Sequence, residues 1–412
     1  MPAEPRTFAI VGASLAGAKA AETLREQGFD GRLVLLGAED ERPYERPPLS
    51  KDYLRGEAER AAAYVHEAGF YAEHDIELRT GTAVTGLDAG AGELELEGGE
   101  RLAYDRLLLA TGAEPRRLHL PGADLDDVHL LRTFADSDAL RGRLDAGGRL
   151  VVIGAGWIGS EVAASARQRG MDVTVVAPEA VPLERVLGLE VGAVYRDLHR
   201  DHGVDLRMEA GVVAFEGDGR VERVRLQHGA AIACDAVVVG AGAAPRTGLA
   251  EAAGLAVENG VLVDGRLETS VPGIFAAGDV ADHLHPVLGR LRVEHWDNAL
   301  HQGPAAAQAM LGADEPYTRT PYFFSDQYDV GMEYSGHPAG WDRVVLRGDP
   351  ATREFIAFWL AGGRVVAGMN VNVWDVAEEI GALIGHTADP QRLADHDVPL
   401  TELSTVSQGG AS

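Results

Sequence analysis

The chain has 412 residues, 46% hydrophobic and 25% charged, which suits a globular enzyme of two or three domains. Its formal charge of −27 opposes nucleic acid and anionic membrane surfaces, and no apolar run reaches the roughly 18 residues a spanning helix needs. One cysteine, Cys234, excludes chemistry that relays electrons through a pair of thiols.

M-P-A-E-P-R-T runs straight into the first expected strand without the apolar stretch of a signal peptide, so a cytoplasmic protein is the simplest expectation. Phe8 to Ala18 read F-A-I-V-G-A-S-L-A-G-A. This predicts a buried parallel strand ending at Ile10 and Val11, a glycine turn, and a helix from Ala16 to Gln27. In such a turn the first glycine closes the bend and the middle one lets backbone approach a pyrophosphate. The third lets helix pack on strand, and the helix N-terminus offers its free N–H groups to phosphate. Gly12 and Gly17 hold the outer positions; Ser14 holds the middle one and leaves less room. A strand is expected from Arg32 to Leu36. Glu39 then lies 22 positions past Gly17, a spacing at which a carboxylate hydrogen-bonds an adenosine ribose.

The next segment, E-R-P-Y-E-R-P-P-L-S-K-D-Y-L from Glu41 to Leu54, is proline-stiffened. A rigid loop that delivers Arg46 and Lys51 to a fixed place suits a cofactor better than a linker, and Ser50 is expected to cap a short helix from Lys51. Lys19 and Lys51 are the only lysines among 37 basic residues. D-R-L-L-L-A-T-G predicts a buried strand ending in Ala110, Thr111 and Gly112, whose small side chains permit close approach of a ligand.

The polar stretch from Pro115 to Gly122 reads as a crossing between domains. Beyond it, Leu150 to Glu161 read L-V-V-I-G-A-G-W-I-G-S-E, a second nucleotide turn with Gly154, Gly156 and Gly159. The first glycines of the two turns stand 142 positions apart. Two such turns in one chain imply two bound dinucleotides and electron transfer between them. The second unit closes with D-A-V-V-V-G-A-G, a buried strand followed by Gly240, Ala241 and Gly242. Just before it, Cys234 is expected to fill space beside that strand.

V-P-G-I-F-A-A-G-D-V-A predicts a buried strand ending in Asp279, a carboxylate placed to hydrogen-bond a ribityl or pyrophosphate group. A helix is expected from Trp296. After Pro321 the texture turns to short aromatic and β-branched strands, then a final helix near Val376 to Ile384. The tail from Thr405 is expected to be disordered. His283 and His285 look like a metal pair, but no cysteine or carboxylate set stands at ligand spacing, so no metal is expected.

Taken together, R-P-P-L-S-K at Arg46 to Lys51, A-T-G-A-E-P at Ala110 to Pro115, G-A-G-W-I-G-S-E at Gly154 to Glu161, P-L-E-R-V-L-G at Pro182 to Gly188, F-A-A-G-D at Phe275 to Asp279 and E-H-W-D-N-A at Glu294 to Ala299 are narrow in combination. They resemble the FAD-dependent NAD(P)H ferredoxin reductases of oxygenase systems, the group of putidaredoxin reductase and the reductase components of aromatic-ring dioxygenases. The resemblance runs from Phe8 to about Leu403.

That resemblance implies an α/β, glutathione-reductase-like fold, with two Rossmann-type nucleotide-binding domains and a smaller α+β C-terminal domain. The FAD domain would be split over 1–118 and 245–320, the NAD(P)H domain would span 119–244, and the C-terminal domain 321–404. FAD would be held through Gly12, Ser14, Ala16 and Gly17, with Glu39, Arg46, Ala110, Thr111 and Gly112. Val84 would meet the adenine from its backbone, and Arg132 and Asp279 would hold the rest. Lys51 would lie beside the isoalloxazine, Trp296 would contact the ring, and His295 would line the pocket. NADH would be held by Gly154, Gly156, Ile158, Gly159 and Glu161, with Gly240, Ala241 and Gly242 closing that site. Family members often have an acid at the position of Ala38, so here the ribose contact passes to Glu39.

The activity implied is transfer of electrons from NADH through FAD to a 2Fe-2S ferredoxin that serves a haem monooxygenase or a ring-hydroxylating dioxygenase. Lys51, Glu161 and Trp296 are the expected catalytic residues: Lys51 favours added negative charge on the flavin, and Glu161 orients the nicotinamide carboxamide. Glu179 suits the 2′-hydroxyl of NADH and repels a 2′-phosphate, while neighbouring Arg185 keeps NADPH open as coenzyme. A monomer or homodimer is expected. An NADH oxidase or peroxidase lacks its redox cysteine here. A rubredoxin or quinone reductase, or a nucleotide-binding redox sensor resembling apoptosis-inducing factor, remains the alternative. Ferredoxins of such systems are acidic, so docking on a chain of −27 needs a local basic patch; Arg290 and Arg292 are the expected candidates.

Overall fold

The computed structural model describes residues 6–337 and 340–403. They form two compact units. The first gathers Met1–Arg46, Arg60–Glu114 and Ala243–Pro321; the second gathers Pro47–Glu59, Pro115–Gly242 and the chain from Tyr322 onward.

The first unit is built on a five-stranded sheet in the order Ile274–Ala276, Arg106–Leu109, Thr7–Val11, Arg32–Leu36, Ile76–Arg79. Every pairing is parallel. Parallel strands covered on both faces read as unbroken apolar runs, and Ile10, Leu33, Val34, Leu35, Leu107 and Leu108 are all buried. Thr7–Val11 is central, and the strands that follow it in the chain lie on opposite sides of it. Its C-terminal end is therefore the switch point at which open α/β sheets bind ligands. The helix Leu15–Glu26 leaves from that end and packs against the helix Trp296–Leu311. A three-stranded antiparallel sheet, Val84–Asp88, Glu93–Leu96 and Arg101–Ala103, completes the middle segment.

The second unit repeats the plan. Its parallel sheet runs Asp205–Arg207, Asp172–Val176, Arg149–Ile153, Ala236–Val239, Val128–His129. The helix Trp157–Gln168 follows the central strand. After Pro321 comes a five-stranded antiparallel sheet in the order Tyr322–Gln327, Val330–Gly336, Arg364–Val371, Glu354–Ala361, Arg343–Asp349. Its core includes the fully buried Trp359, whose indole N–H donates to the Leu187 carbonyl at 3.1 Å.

Two local expectations need correction. Ser50 does not cap the helix after it: Pro47–Ser50 form a 3₁₀ turn, Lys51 stands at the N-cap of Asp52–Arg55, and the Ser50 hydroxyl turns to Glu161. The helix Ala377–Leu383 is not the last, because Pro390–Ala394 follows, capped by Asp389 with proline at its first turn. Cys234 lies in the short connection before the strand Ala236–Val239; it is buried, and burial pushes its thiol up to about 12. The tail from Thr405 lies outside the described residues.

Candidate functional site

In the first unit the glycine turn is fixed by two close approaches. A methyl group at Gly12 would lie 2.0 Å from the Ala110 carbonyl oxygen, and one at Gly17 would lie 2.0 Å from the Gly12 carbonyl oxygen. Neither position accepts a side chain, so strand, turn and helix are locked at the helix entrance. Ser14 is the N-cap, at φ −130° and ψ −161°, an extended conformation open to any residue. Its side chain makes no capping hydrogen bond, and Ala16 is buried behind it. A first turn without a side-chain cap suits a phosphate acceptor. Serine in place of the middle glycine thus leaves the backbone path intact.

Beside the turn, Ala110 is buried and the Thr111 hydroxyl donates to the Arg246 carbonyl at 2.9 Å. Gly112 takes a positive φ of 70°. Val84 starts its strand half-buried. Glu39 is held from two sides: Arg46 pairs with it at 2.7 Å and the Tyr44 hydroxyl donates to its other oxygen. Burial opposes ionisation of Glu39, but Arg46 and Tyr44 outweigh it and hold the carboxyl below its ordinary range.

Asp279 is buried in the 3₁₀ turn Gly278–Val280, directly after the strand Ile274–Ala276. That turn is pinned by Gln302, which is fully buried and accepts from the Gly278 N–H at 2.9 Å. Gln302 in turn donates to His283 Nδ1 at 3.2 Å, while His285 Nδ1 accepts from the backbone of Val287 and Leu288. Among the described residues, no group of three or more His, Cys, Asp or Glu side chains is arranged to hold a metal ion. Trp296 opens its helix half-buried, with His295 at the N-cap; burial pushes the Glu45 carboxyl up.

Arg292 is not an open member of the basic docking patch expected of it. Its side chain is 8% exposed, pairs with Glu294, and donates to the Asp279 carbonyl at 3.1 Å. Arg290 is more open, yet donates to the Asp282 carbonyl at 2.6 Å.

In the second unit the same construction recurs. A methyl group at Gly154 would meet the Gly240 carbonyl oxygen at 2.3 Å, and one at Gly159 the Gly154 carbonyl oxygen at 2.1 Å. Gly156, at the N-cap, faces open space, and Ile158 is exposed. Gly240, Ala241 and Gly242 follow the strand Ala236–Val239, with the Arg116 N–H donating to the Gly242 carbonyl at 2.9 Å. Glu179 pairs with the exposed Arg185 at 2.7 Å. Arg132 precedes the helix Phe134–Asp145, its N–H donating to Asp136 at 3.1 Å.

A buried polar cluster of this unit lies on the helix Trp157–Gln168. Lys51 Nζ stands 2.9 Å from Glu161 Oε1, with side chains only 9% and 5% exposed. Ser325 Oγ donates to the same oxygen at 2.7 Å, Ser50 Oγ donates to Oε2, and Lys51 reaches the Pro47 carbonyl at 3.4 Å. The Phe324 ring lies 5.6 Å from the ammonium. A buried ion pair persists when its remaining hydrogen-bonding capacity is satisfied, and here three donors converge on one carboxylate.

Sequence reasoning found Lys51 and Glu161 but not Ser50, Ser325, Tyr44 or Gln302. The signal available for Ser325 was a polar residue at an inward position of an aromatic strand: Phe323, Ser325 and Gln327 share one buried face of Tyr322–Gln327.

Comparison with known proteins places these features in context. Residues 6–303 match the family described as pyridine nucleotide-disulphide oxidoreductase, and residues 322–404 match the reductase C-terminal family. The chain is 42% identical over 413 residues to the ferredoxin–NAD(+) reductase component of the anthranilate 1,2-dioxygenase system of Burkholderia cepacia, covering 97% of this chain and 99% of that one. It is 37% identical over 412 residues to putidaredoxin reductase of Pseudomonas putida, covering 98% of each. Among solved structures it is similar to the covalent putidaredoxin reductase–putidaredoxin complex, with a TM-score of 0.93 and 38% identity over 97% of this chain and 98% of that one. Among the described residues, no helix is long and apolar enough to cross a membrane.

Proposed function

The chain belongs to the pyridine nucleotide-disulphide oxidoreductase family, and from that membership we propose that it is an NADH-dependent flavoprotein reductase whose electron acceptor is a 2Fe-2S ferredoxin serving an oxygenase. The observation that carries the reading is the pair of nucleotide turns, one in each unit, each with its third glycine closed against the carbonyl of its first. A chain with one dinucleotide would need one such turn. With a single buried cysteine, Cys234, a relay through a dithiol has no second thiol.

FAD fits the first turn because Gly12 and Gly17 leave no room for side chains and the helix entrance at Ser14 carries no side-chain cap. Glu39 would take the adenosine ribose, its carboxylate fixed by Arg46 and Tyr44. Asp279, in a turn held by Gln302, would take the ribityl or pyrophosphate end, with Arg132, Val84, Ala110, Thr111, Gly112 and Trp296 as further contacts. NADH would bind at Gly154, Gly156, Ile158 and Gly159, with Gly240, Ala241 and Gly242 beside it and Glu179 at its ribose. When bound, a flavin supplies the conversion between a two-electron hydride donor and a one-electron acceptor.

The chain's own part is binding, orientation and charge. Lys51 provides a fixed ammonium that favours developing negative charge. Glu161 keeps that ammonium in place and orients the nicotinamide end of the coenzyme. Burial of the pair keeps water from screening it.

The test is NADH-driven reduction of a panel of ferredoxins, rubredoxins and quinones by the purified protein. The reading requires a yellow protein with one FAD per chain and the highest kcat/KM for a 2Fe-2S ferredoxin. Preference for rubredoxin or quinone would replace the acceptor, and a long-lived reduced complex with negligible turnover would make the chain a redox sensor.

A further inference from the structure

The strand Tyr322–Gln327 presents three buried side chains to its neighbours, and they do different jobs. Phe323 packs edge-on against Trp157 with ring centres 4.8 Å apart. Gln327 Oε1 accepts from His199 Nε2 at 3.1 Å. An aromatic contact near one end and an amide–imidazole bond at the other hold the strand. Ser325, between them, is 2% exposed and donates to Glu161 Oε1 at 2.7 Å. That oxygen is the one facing the Lys51 ammonium.

A carboxylate on a helix has two free side-chain torsions beyond its Cβ, and a single cation does not fix them. Lys51 comes from the Pro47–Glu59 segment on a flexible four-carbon stem. Ser50 holds Oε2 from that same segment, as its immediate neighbour in the chain. Ser325 is the donor that reaches Glu161 from a separate part of the chain, 164 residues away. It therefore sets the position of the carboxylate independently of the lysine it serves.

We propose that Ser325 is a positioning residue for electron transfer from NADH: its hydroxyl fixes Glu161, and through Glu161 the Lys51 ammonium, so that the C-terminal domain completes the charge pair on the coenzyme-binding helix. The inference rests on the proposed role of Lys51 and Glu161. Electrostatic stabilisation depends on groups already oriented before reaction. Loss of Ser325 therefore lowers the rate of the reductive step more than it weakens NADH binding.

The experiment uses the FAD-loaded protein. Ser325→Ala is expected to slow flavin reduction at saturating NADH about tenfold, the size of one hydrogen bond to a charged group, with the NADH Kd changed less than about twofold. Ser325→Thr, which keeps the hydroxyl, restores the rate. A second readout is independent of turnover. With only Lys19 and Lys51 in the chain, ¹³Cε-labelled lysine gives two signals. The Lys51 signal moves in Ser325→Ala and returns in Ser325→Thr. If the alanine variant does not fold, Ser325→Cys, isosteric and a weak donor, takes its place with the same expectations. Glu161→Gln is run alongside. A slow Glu161→Gln with a parental Ser325→Ala overturns the positioning role and leaves the charge pair standing. Parental rates in both variants overturn the role of the pair itself. A rate loss that threonine does not restore makes Ser325 a packing residue only.

Discussion

Arg46 and Glu39 form an ion pair at 2.7 Å across seven positions of one loop, and the Tyr44 hydroxyl bonds both of them. An acid after the second strand of a nucleotide unit is ordinarily free to swing. Here the proline-stiffened loop returns Arg46 onto it, so its orientation is set before any ribose arrives. Preorganisation of this kind reduces the ordering cost of binding. Glu39→Ala should weaken FAD binding about tenfold or more, by loss of charge-assisted hydrogen bonds to ribose. Arg46→Ala should weaken it less, because the carboxylate survives and loses only its restraint. Flavin fluorescence during reconstitution of the apoprotein gives both constants. Equal FAD affinity in parent and Glu39→Ala would move the ribose contact elsewhere.

The two glycines at the entrance of the helix Trp157–Gln168 should fail in different ways. Gly159 has no room, since its added methyl would stand 2.1 Å from the Gly154 carbonyl oxygen. Gly156 has open space around it and an ordinary φ of −78°. Gly159→Ala is therefore expected to lower Tm by several degrees, about 1–3 kcal/mol of overpacking, as well as raising the NADH KM. Gly156→Ala should keep the parental Tm and raise KM alone, because its methyl obstructs only the approach of a pyrophosphate. Calorimetry and steady-state kinetics on the two variants separate these effects. A destabilised Gly156→Ala would contradict the open cradle.

What the sequence made legible follows the range of the forces involved. Strands such as Arg32–Leu36 and Ala236–Val239, and the turns after Val11 and Ile153, are local patterns of apolar runs and glycine spacing, and they appear where expected. Asp279, Lys51 and Glu161 were readable as candidate site residues, and the structure buries all three. Their partners were not: Ser50 and Ser325 meet Glu161 from 111 and 164 residues away, and no local pattern encodes that meeting. Arg292 failed for a similar reason. In G-R-L-R-V it looks like a solvated edge residue, but the antiparallel pairing of Gly289–Arg292 with Ala281–His285 brings it under Glu294 and the Asp279 carbonyl. The helix Pro390–Ala394 was legible in A-D-P, an aspartate cap with proline after it, and was missed.

His199 gives the second unit a defined acid limit. Its Nε2 donates to Gln327 at 3.1 Å and its Nδ1 accepts from the Tyr328 hydroxyl at 3.2 Å, a pattern that suits the neutral ring. Burial pulls its pKa down to about 4, against the opposing hydrogen bond to Gln327, and His202 adds to the depression. An unfolded histidine takes its proton near pH 6.5, whereas this one stays neutral until about pH 4. Between those values the unfolded state binds more protons, so stability is lost as pH falls from about 6.5 towards 4. From pH 7 to pH 5 the loss is on the order of 2 kcal/mol. His199→Gln should be less stable at pH 7 and flatter over this range. Urea midpoints of both proteins at pH 7 and pH 5 decide it; parallel slopes would remove His199 as the source.

In the proposed NADH site, coenzyme choice would turn on Glu179 and Arg185, which stand 2.7 Å apart just after the strand Asp172–Val176. Glu179 is mostly covered, with 19% of its side chain exposed, whereas Arg185 is 79% exposed. An ion pair this open contributes little to stability, so the arginine is free to leave when a ligand competes for it. With NADH bound as proposed, the carboxylate would accept from the ribose 2′-hydroxyl and Arg185 would have no phosphate to meet. With NADPH, the 2′-phosphate must approach Glu179, and Arg185 alone offsets that repulsion. NADH should therefore be preferred by the parent. Glu179→Ala removes the repulsion and leaves an unpaired guanidinium suited to a phosphate, so kcat/KM should fall for NADH and rise for NADPH, by about tenfold each way. Arg185→Ala should lower NADPH activity while leaving NADH activity near the parental value. Steady-state kinetics with both coenzymes on the three proteins make the check. A parent that prefers NADPH, or a Glu179→Ala variant with an unchanged coenzyme ratio, would take Glu179 out of the ribose site.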